Sequence, residues 1–435
     1  MPSLTVTPRL SMFCDNSFRL HLSGLKKRQR VRLSAKVQQS VGLFESSALY
    51  VADDSGSVDS SKHPALPGGS YEGVHPGGLL WSLTPAENQR KGLRLATAPV
   101  TEPVRYEIWA TIADGSEDQY AMSAGIQRHW LHPMVERIPV KEGRIRGTLF
   151  MPKSANGNRL PAVIDMHGSR GGLTEHRAAL LASQGFAALA LPFFNYADLP
   201  SDIRALDFEY FEEAVEWLGR QKGVSDRVGI VGTSMGGDLG FLMGSLIPQV
   251  KAVVALNCFF ALDDFTPVSY RGEPWPTAKA DMNRLPECMG DDGALHYGKW
   301  RADYLPNKDD LVFPVERSNG DIHFFYVAGM DDQMNPSLYS ADRLRLRFRK
   351  FGIEDQFTSL KLDGCGHFLD VPFAPHSSVS WHQVFGCYIA FGGQPEAHHY
   401  GQLKAWNAII QFLSTHLGDP VTLPDISKVA PDNKL

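Results

Sequence analysis

Gly232-Thr233-Ser234-Met235-Gly236 sits where an apolar, β-branched run, Arg227-Val228-Gly229-Ile230-Val231, gives way to Gly237-Asp238-Leu239-Gly240-Phe241-Leu242-Met243, a run suited to a helix. Strand, G-x-S-x-G, helix is the context of a nucleophile elbow, a turn tight enough to want glycine on both sides of the serine. Strain in such a turn is expected to lift the Ser234 hydroxyl above a sheet and set it at a helix N-terminus. An ordinary Gly/Ser-rich turn has the same five letters, so the surrounding elements and the partners of Ser234 decide between the two.

On either side, strands and helices alternate. Pro161 to Met166 and Phe186 to Leu191 are near-continuous apolar runs, the signature of strands buried on both faces. Between them, Thr174 to Ala182 reads as a capped helix, and a second helix is expected over about Asp202 to Leu218. Lys251 to Leu256, Ile322 to Ala328 and Phe357 to Leu362 extend the sheet. Residues 138–420 therefore read as an α/β-hydrolase with a mostly parallel, doubly wound sheet. The irregular stretch from Asn257 to Arg317, rich in Pro, Trp and Asp, is expected to cover the site.

Residues 1–137 have a different rhythm. Phe18 to Leu22, Val31 to Val37, Ser47 to Val51 and Arg105 to Ile112 alternate apolar and polar, with turns at Ser23-Gly24, Asp54-Ser55-Gly56 and Asp114-Gly115. Short strands at this spacing predict an immunoglobulin-like β-sandwich. Residues 421–435 are left as a C-terminal tail.

A serine nucleophile needs a base, and the base an orienting acid, in the chain order Ser, Asp, His for this fold. Ala328-Gly329-Met330-Asp331-Asp332 follows an apolar strand. Asp332, third after the glycine, is the expected acid, although spacing alone does not separate it from Asp331. Asp363-Gly364-Cys365-Gly366-His367 follows the last strand, and its glycines would let the imidazole swing toward the serine. Only His367 among the fifteen histidines combines chain order, a strand-end loop and a glycine partner. His296, His323, His376, His382, His398 and His399 read as structural or solvated. Two N–H donors are needed for an oxyanion. Met235 follows the nucleophile, and Ser169 lies in the loop His167-Gly168-Ser169-Arg170-Gly171-Gly172.

Composition narrows the partners. Apolar residues make up 43% of the 435 and charged ones 21%, as in ordinary globular proteins, and the net charge of −5 gives no support for a nucleic-acid partner. Lys26-Lys27-Arg28 and the run from Arg343 to Lys350 read as solvated faces. Five scattered cysteines have neither metal-ligand nor disulfide spacing, no cofactor or metal site is called for, and a reducing compartment fits. No run is long enough for stable membrane insertion. A cytoplasmic location is expected, with a peroxisomal alternative through Asn433-Lys434-Leu435, which matches an S-K-L tail in its last two positions.

Several stretches resemble the type I acyl-CoA thioesterases and bile acid-CoA:amino acid N-acyltransferase, over residues 3 to 418. They include Gly78-Leu79-Leu80-Trp81-Ser82-Leu83, Glu175-His176-Arg177-Ala178-Ala179-Leu180-Leu181-Ala182, Asn195-Tyr196-Ala197-Asp198-Leu199-Pro200, Phe313-Pro314-Val315-Glu316-Arg317 and Gly392-Gly393-Gln394-Pro395-Glu396-Ala397-His398. The resemblance implies the sandwich in front, a Ser234, Asp332, His367 triad and hydrolysis of a fatty acyl-CoA substrate. It departs at Met235, where members usually carry Lys, at Gln333 in place of His, and at His167 and Arg170. Acyl transfer to glycine or taurine is the alternative. Family members that conjugate bile acids use Cys, so Ser234 favours the hydrolase. An acyl-CoA binder without catalysis and a carboxylesterase or peptidase are further readings.

Overall fold

The computed structural model describes residues 1–15, 17–90, 92–95, 99–112, 120–153, 159–279, 281–302, 309–383 and 385–428. The turn expected at Asp114-Gly115 and the tail Asn433-Lys434-Leu435 lie outside them. Two compact units emerge: Met1–Pro133 with Val371–Ser377 and the stretch from Pro424, and Met134–Asp370 with Ser378–Leu423. The break falls at Pro133 rather than 137, because Val135–Glu142 pairs along its whole length with Ile145–Pro152. The stretch from Pro424 groups with the first unit instead of forming a separate tail from 421.

The first unit is a β-sandwich. One sheet runs, in spatial order, Leu10–Met12, Tyr120–His129, Val104–Ile112, Arg30–Gln39, Gly42–Val51 and Thr84–Pro85; the other holds Ser3–Thr7, Arg19–Ser23 and Val58–Asp59. Alternation drives the burial: Val31, Leu33, Ala35 and Val37 are buried while Arg30 and Arg32 are exposed.

The second unit is built on eight strands: β1 (Val135–Glu142), β2 (Ile145–Pro152), β3 (Leu160–Met166), β4 (Ala187–Ala190), β5 (Val224–Thr233), β6 (Val250–Leu256), β7 (His323–Gly329) and β8 (Phe357–Leu362). Their order in space is β1-β2-β4-β3-β5-β6-β7-β8, parallel from β4 to β8. Among the described residues its helices of eight residues or more are α1 (His176–Ser183), α2 (Glu209–Gly219), α3 (Met235–Leu246), α4 (Ser337–Lys350) and α5 (Pro395–Leu417). Ile164, Ile230, Val253, Phe324, Leu239 and Phe241 are among the fully buried side chains of its core, each worth about 1.5–3 kcal/mol of transfer free energy. Among the described residues no helix is long and apolar enough to cross a membrane.

Two helices begin later than the sequence predicts. The helix α1 starts at His176, so its N-cap position is Glu175 rather than Thr174, and the Glu175 carboxylate accepts from Arg137 Nη2 at 2.7 Å instead of capping the helix. The helix expected from Asp202 is interrupted at Leu206–Asp207, which pairs with Val268–Tyr270, and α2 starts only at Glu209. The basic run on α4 is an ion-paired surface, with Arg343 on Asp309, Arg347 on Glu316 and Arg349 on Glu354.

Register places the chemistry. Met166 pairs with Gly232, Thr233 with Leu256, Leu256 with Val327, and Gly329 with Leu362. The loops holding Ser169, Ser234, Asn257, Asp332 and His367 therefore leave one carboxyl edge, where sheets of this kind hold ligands.

Candidate active site

Ser234 has φ 55° and ψ −127°, a left-handed conformation costing about 1–3 kcal/mol. Its N–H donates to Leu256 O at 2.8 Å. A Cβ on Gly232 would lie 2.1 Å from Gly236 O, and one on Gly236 would lie 2.6 Å from Met166 O and 2.7 Å from His167 O. The elbow is thus closed against the loop after β3. Gly236→Ala is expected to cost about 1–3 kcal/mol, read as a Tm at least about 3 °C lower.

The Ser234 carbonyl takes the first bonds of α3, from Gly237 N at 2.8 Å and Asp238 N at 3.1 Å. Helix geometry gives the Met235 amide no carbonyl one turn back, and it lies at the positive end of the helix dipole. The Met235 side chain is buried and lines a cavity with Ser169 and Ser234.

His367 Nδ1 is 3.0 Å from both carboxylate oxygens of Asp332, and both side chains are almost fully buried. A carboxylate only accepts, so Nδ1 carries the proton and Nε2 is left as an acceptor. Asp332 also accepts from Met334 N and Asn335 N, each at 2.9 Å, and from Ser337 Oγ at 2.5 Å. Asp331 points elsewhere: its Oδ2 accepts from Gly393 N at 2.8 Å.

Asn257, the first residue past β6, joins the two halves of the site. Its Nδ2 donates to Gly366 O at 3.0 Å and His367 O at 2.8 Å, and its Oδ1 accepts from Gly329 N at 2.7 Å. Its φ of 49° is left-handed, a region where Asn is enriched. That preference at a strand end is the one local signal that could have exposed it. His398 steadies the same loop, accepting from Gly366 N at 3.2 Å and donating from Nε2 to Phe368 O at 2.7 Å. Nothing local in the sequence marks His398, which comes from the first turn of α5.

Under the loop after β3 lies a buried ion pair. Arg177 donates to Asp165 Oδ1 at 2.5 Å, to Met166 O at 2.9 Å and to Thr233 Oγ1, so it clamps the ends of β3 and β5 together. Burial pushes the Asp165 carboxyl up, but Arg177 and His167 more than offset this and hold it below the usual range. Burial and Arg177 push His167 down and favour its neutral form. His382, expected to be structural or solvated, stands against the same loop, Nε2 3.3 Å from Ser169 Oγ. Burial, His367 and Arg170 push its pKa down to about 4, so it is neutral.

Beside Ser234 is a cavity of about 270 Å³, whose apolar lining includes Ile203, Phe265, Tyr297, Met334 and Phe385. The stretch expected to cover the site supplies part of its wall. Among the described residues no group of three or more His, Cys, Asp or Glu could hold a metal ion.

The strained Ser234 turn, the Asp332 loop and the His367 loop follow in that chain order along one edge of this topology, which places the protein among the α/β-hydrolases. The profile described as "BAAT / Acyl-CoA thioester hydrolase C terminal" matches residues 206–419, and "Acyl-CoA thioester hydrolase/BAAT N-terminal region" matches 15–142. Mouse acyl-coenzyme A thioesterase 2, mitochondrial, is 36% identical over 96% of this chain and 90% of its own. Mouse bile acid-CoA:amino acid N-acyltransferase is 34% identical over 98% and 99%, and mouse peroxisomal succinyl-coenzyme A thioesterase 33% over 96% and 97%. The chain belongs to the acyl-CoA thioester hydrolase/BAAT family.

Proposed function

We propose that this protein hydrolyses acyl-CoA thioesters to free acid and CoA through an acyl-serine intermediate. The observation that carries the reading is the buried Asp332–His367 pair, tied through Asn257 to the strand end that receives the N–H of strained Ser234. His367 Nε2 would take the Ser234 proton as Oγ attacks the thioester carbonyl, and Asp332 would stabilise the imidazolium. The amides of Met235 and Ser169 would hold the oxyanion, each on the order of 100- to 1000-fold in rate. CoA leaves as the thiol, with the proton from His367. Water activated by the same imidazole then cleaves the serine ester.

The test is CoA release across acyl-chain lengths, followed with a thiol reagent, with and without glycine and taurine. Release independent of either amine supports hydrolysis. Similarity to an N-acyltransferase makes transfer the second reading, and the nucleophile separates the two. Thioesters react with amines far more readily than with water, and oxygen esters show less of that bias. Ser234→Cys is therefore expected to raise the ratio of amide to free acid, by mass spectrometry of the products. An unchanged ratio would sink the nucleophile argument.

A further inference from the structure

The hydrolytic steps leave one wall of the cavity unused. Asp238, Asp263, Thr266, Arg301 and Asn335 all face it, and each is nine-tenths or more buried. A slot for plain hydrocarbon is better lined by aliphatic and aromatic side chains, because each buried polar group costs desolvation that a methylene does not repay.

The wall is built and held. Arg301 donates to Asn335 Oδ1 and Asp263 Oδ2, and its guanidinium lies 4.5 Å from the Phe259 ring centroid and 5.3 Å from that of Tyr297. Thr266 Oγ1 donates to Asp263 Oδ1 at 3.0 Å, and Asp238 Oδ1 accepts from Phe259 N at 2.6 Å. Among the described residues, buried Arg301 Nε has no hydrogen-bond partner. Burial pushes the Asp238 carboxyl up to about 8 despite Arg301, so at neutral pH it is mostly an acid that can donate as well as accept.

Charge then narrows the guest. Asp263 and Arg301 cancel and Asp238 is neutral, so the wall is polar without net charge. A carboxylate guest would add an uncompensated buried charge. A bare methylene would leave the donors unanswered, at about 1–3 kcal/mol. A hydroxyl or oxo oxygen does neither. Asp238 lies four residues past Ser234 on α3, ~6 Å along the helix axis, which sets that oxygen away from the reacting carbonyl.

We propose that this wall recognises an uncharged oxygen substituent on the acyl chain, so that the enzyme prefers hydroxylated or oxo acyl-CoA thioesters over plain ones of equal length. The proposal rests on Ser234 being the residue that accepts the acyl group.

The experiment compares kcat/KM for octanoyl-CoA, octanoyl-CoA esters with a hydroxyl or oxo group at successive positions, and the dicarboxylyl-CoA of the same length. At least one hydroxy or oxo ester is expected to exceed octanoyl-CoA by about 10-fold or more. In Asp238→Leu, and in the milder Thr266→Val, that ratio is expected to fall toward one. Octanoyl-CoA or the dicarboxylyl ester as the fastest substrate overturns the proposal. So does a ratio unchanged in a variant that circular dichroism shows to be folded. Failure of the underlying reading looks different: no ester releases CoA, or Ser234→Ala leaves release intact, and the proposal then falls with it.

Discussion

Replacing Ser234 by alanine is expected to lower CoA release by on the order of 10⁴- to 10⁶-fold, the size of loss seen when a member of a serine triad is removed. Alanine deletes only Oγ and leaves the backbone turn, the Leu256 hydrogen bond and the packing of α3 in place. The variant is therefore expected to melt close to the parent. The strain allows a second check. Ser234→Gly, which tolerates φ 55° without a Cβ penalty, should be equally inactive and no less stable. Retention of a tenth of the parent rate by either variant would remove Ser234 from the chemistry.

The elbow was legible because every constraint on it is local: an apolar strand, two glycines forced by close backbone contacts, and a helix start. The buried strands β3, β6 and β7 were legible for the same reason, since their apolar runs are near-continuous. Features fixed by distant partners were not. The break at Leu206–Asp207 comes from pairing with Val268–Tyr270, and Arg144 holds Asp207 at 3.0 Å from the turn between β1 and β2, far earlier in the chain. Local helix propensity cannot register either contact. Asn257 was missed on the same account, and the loops that His398 and His382 support as structural histidines could not be named: each acts on a loop reached only after the sheet is assembled. The polar wall was hidden by its composition. Asp263, Thr266 and Arg301 lie in the irregular stretch expected to cover the site, whose Pro and Asp content does not say which side chains face inward; only the fold does.

Asp331 and Asp332 show what spacing leaves open and geometry can address. Asp332 has both oxygens 3.0 Å from His367 Nδ1 and is further held by Met334 N, Asn335 N and Ser337 Oγ. An amide in its place would turn an NH₂ group toward His367 or give up one of those donors. A facing NH₂ drives the imidazole proton to Nε2, the atom that the proposed mechanism needs free to take the serine proton. Asp332→Asn is therefore expected to lower kcat by about 10⁴-fold with little change in KM. Asp331→Asn loses one acceptor for Gly393 N. It is expected to cost about 0.5–1.5 kcal/mol of stability and to change kcat by less than about 10-fold, since its carboxylate does not touch the imidazole. Steady-state kinetics and thermal melts on the two variants decide between the neighbours. A large kcat loss in Asp331→Asn with near-parent turnover in Asp332→Asn would reverse the assignment, and with it the direction from which the imidazole is held.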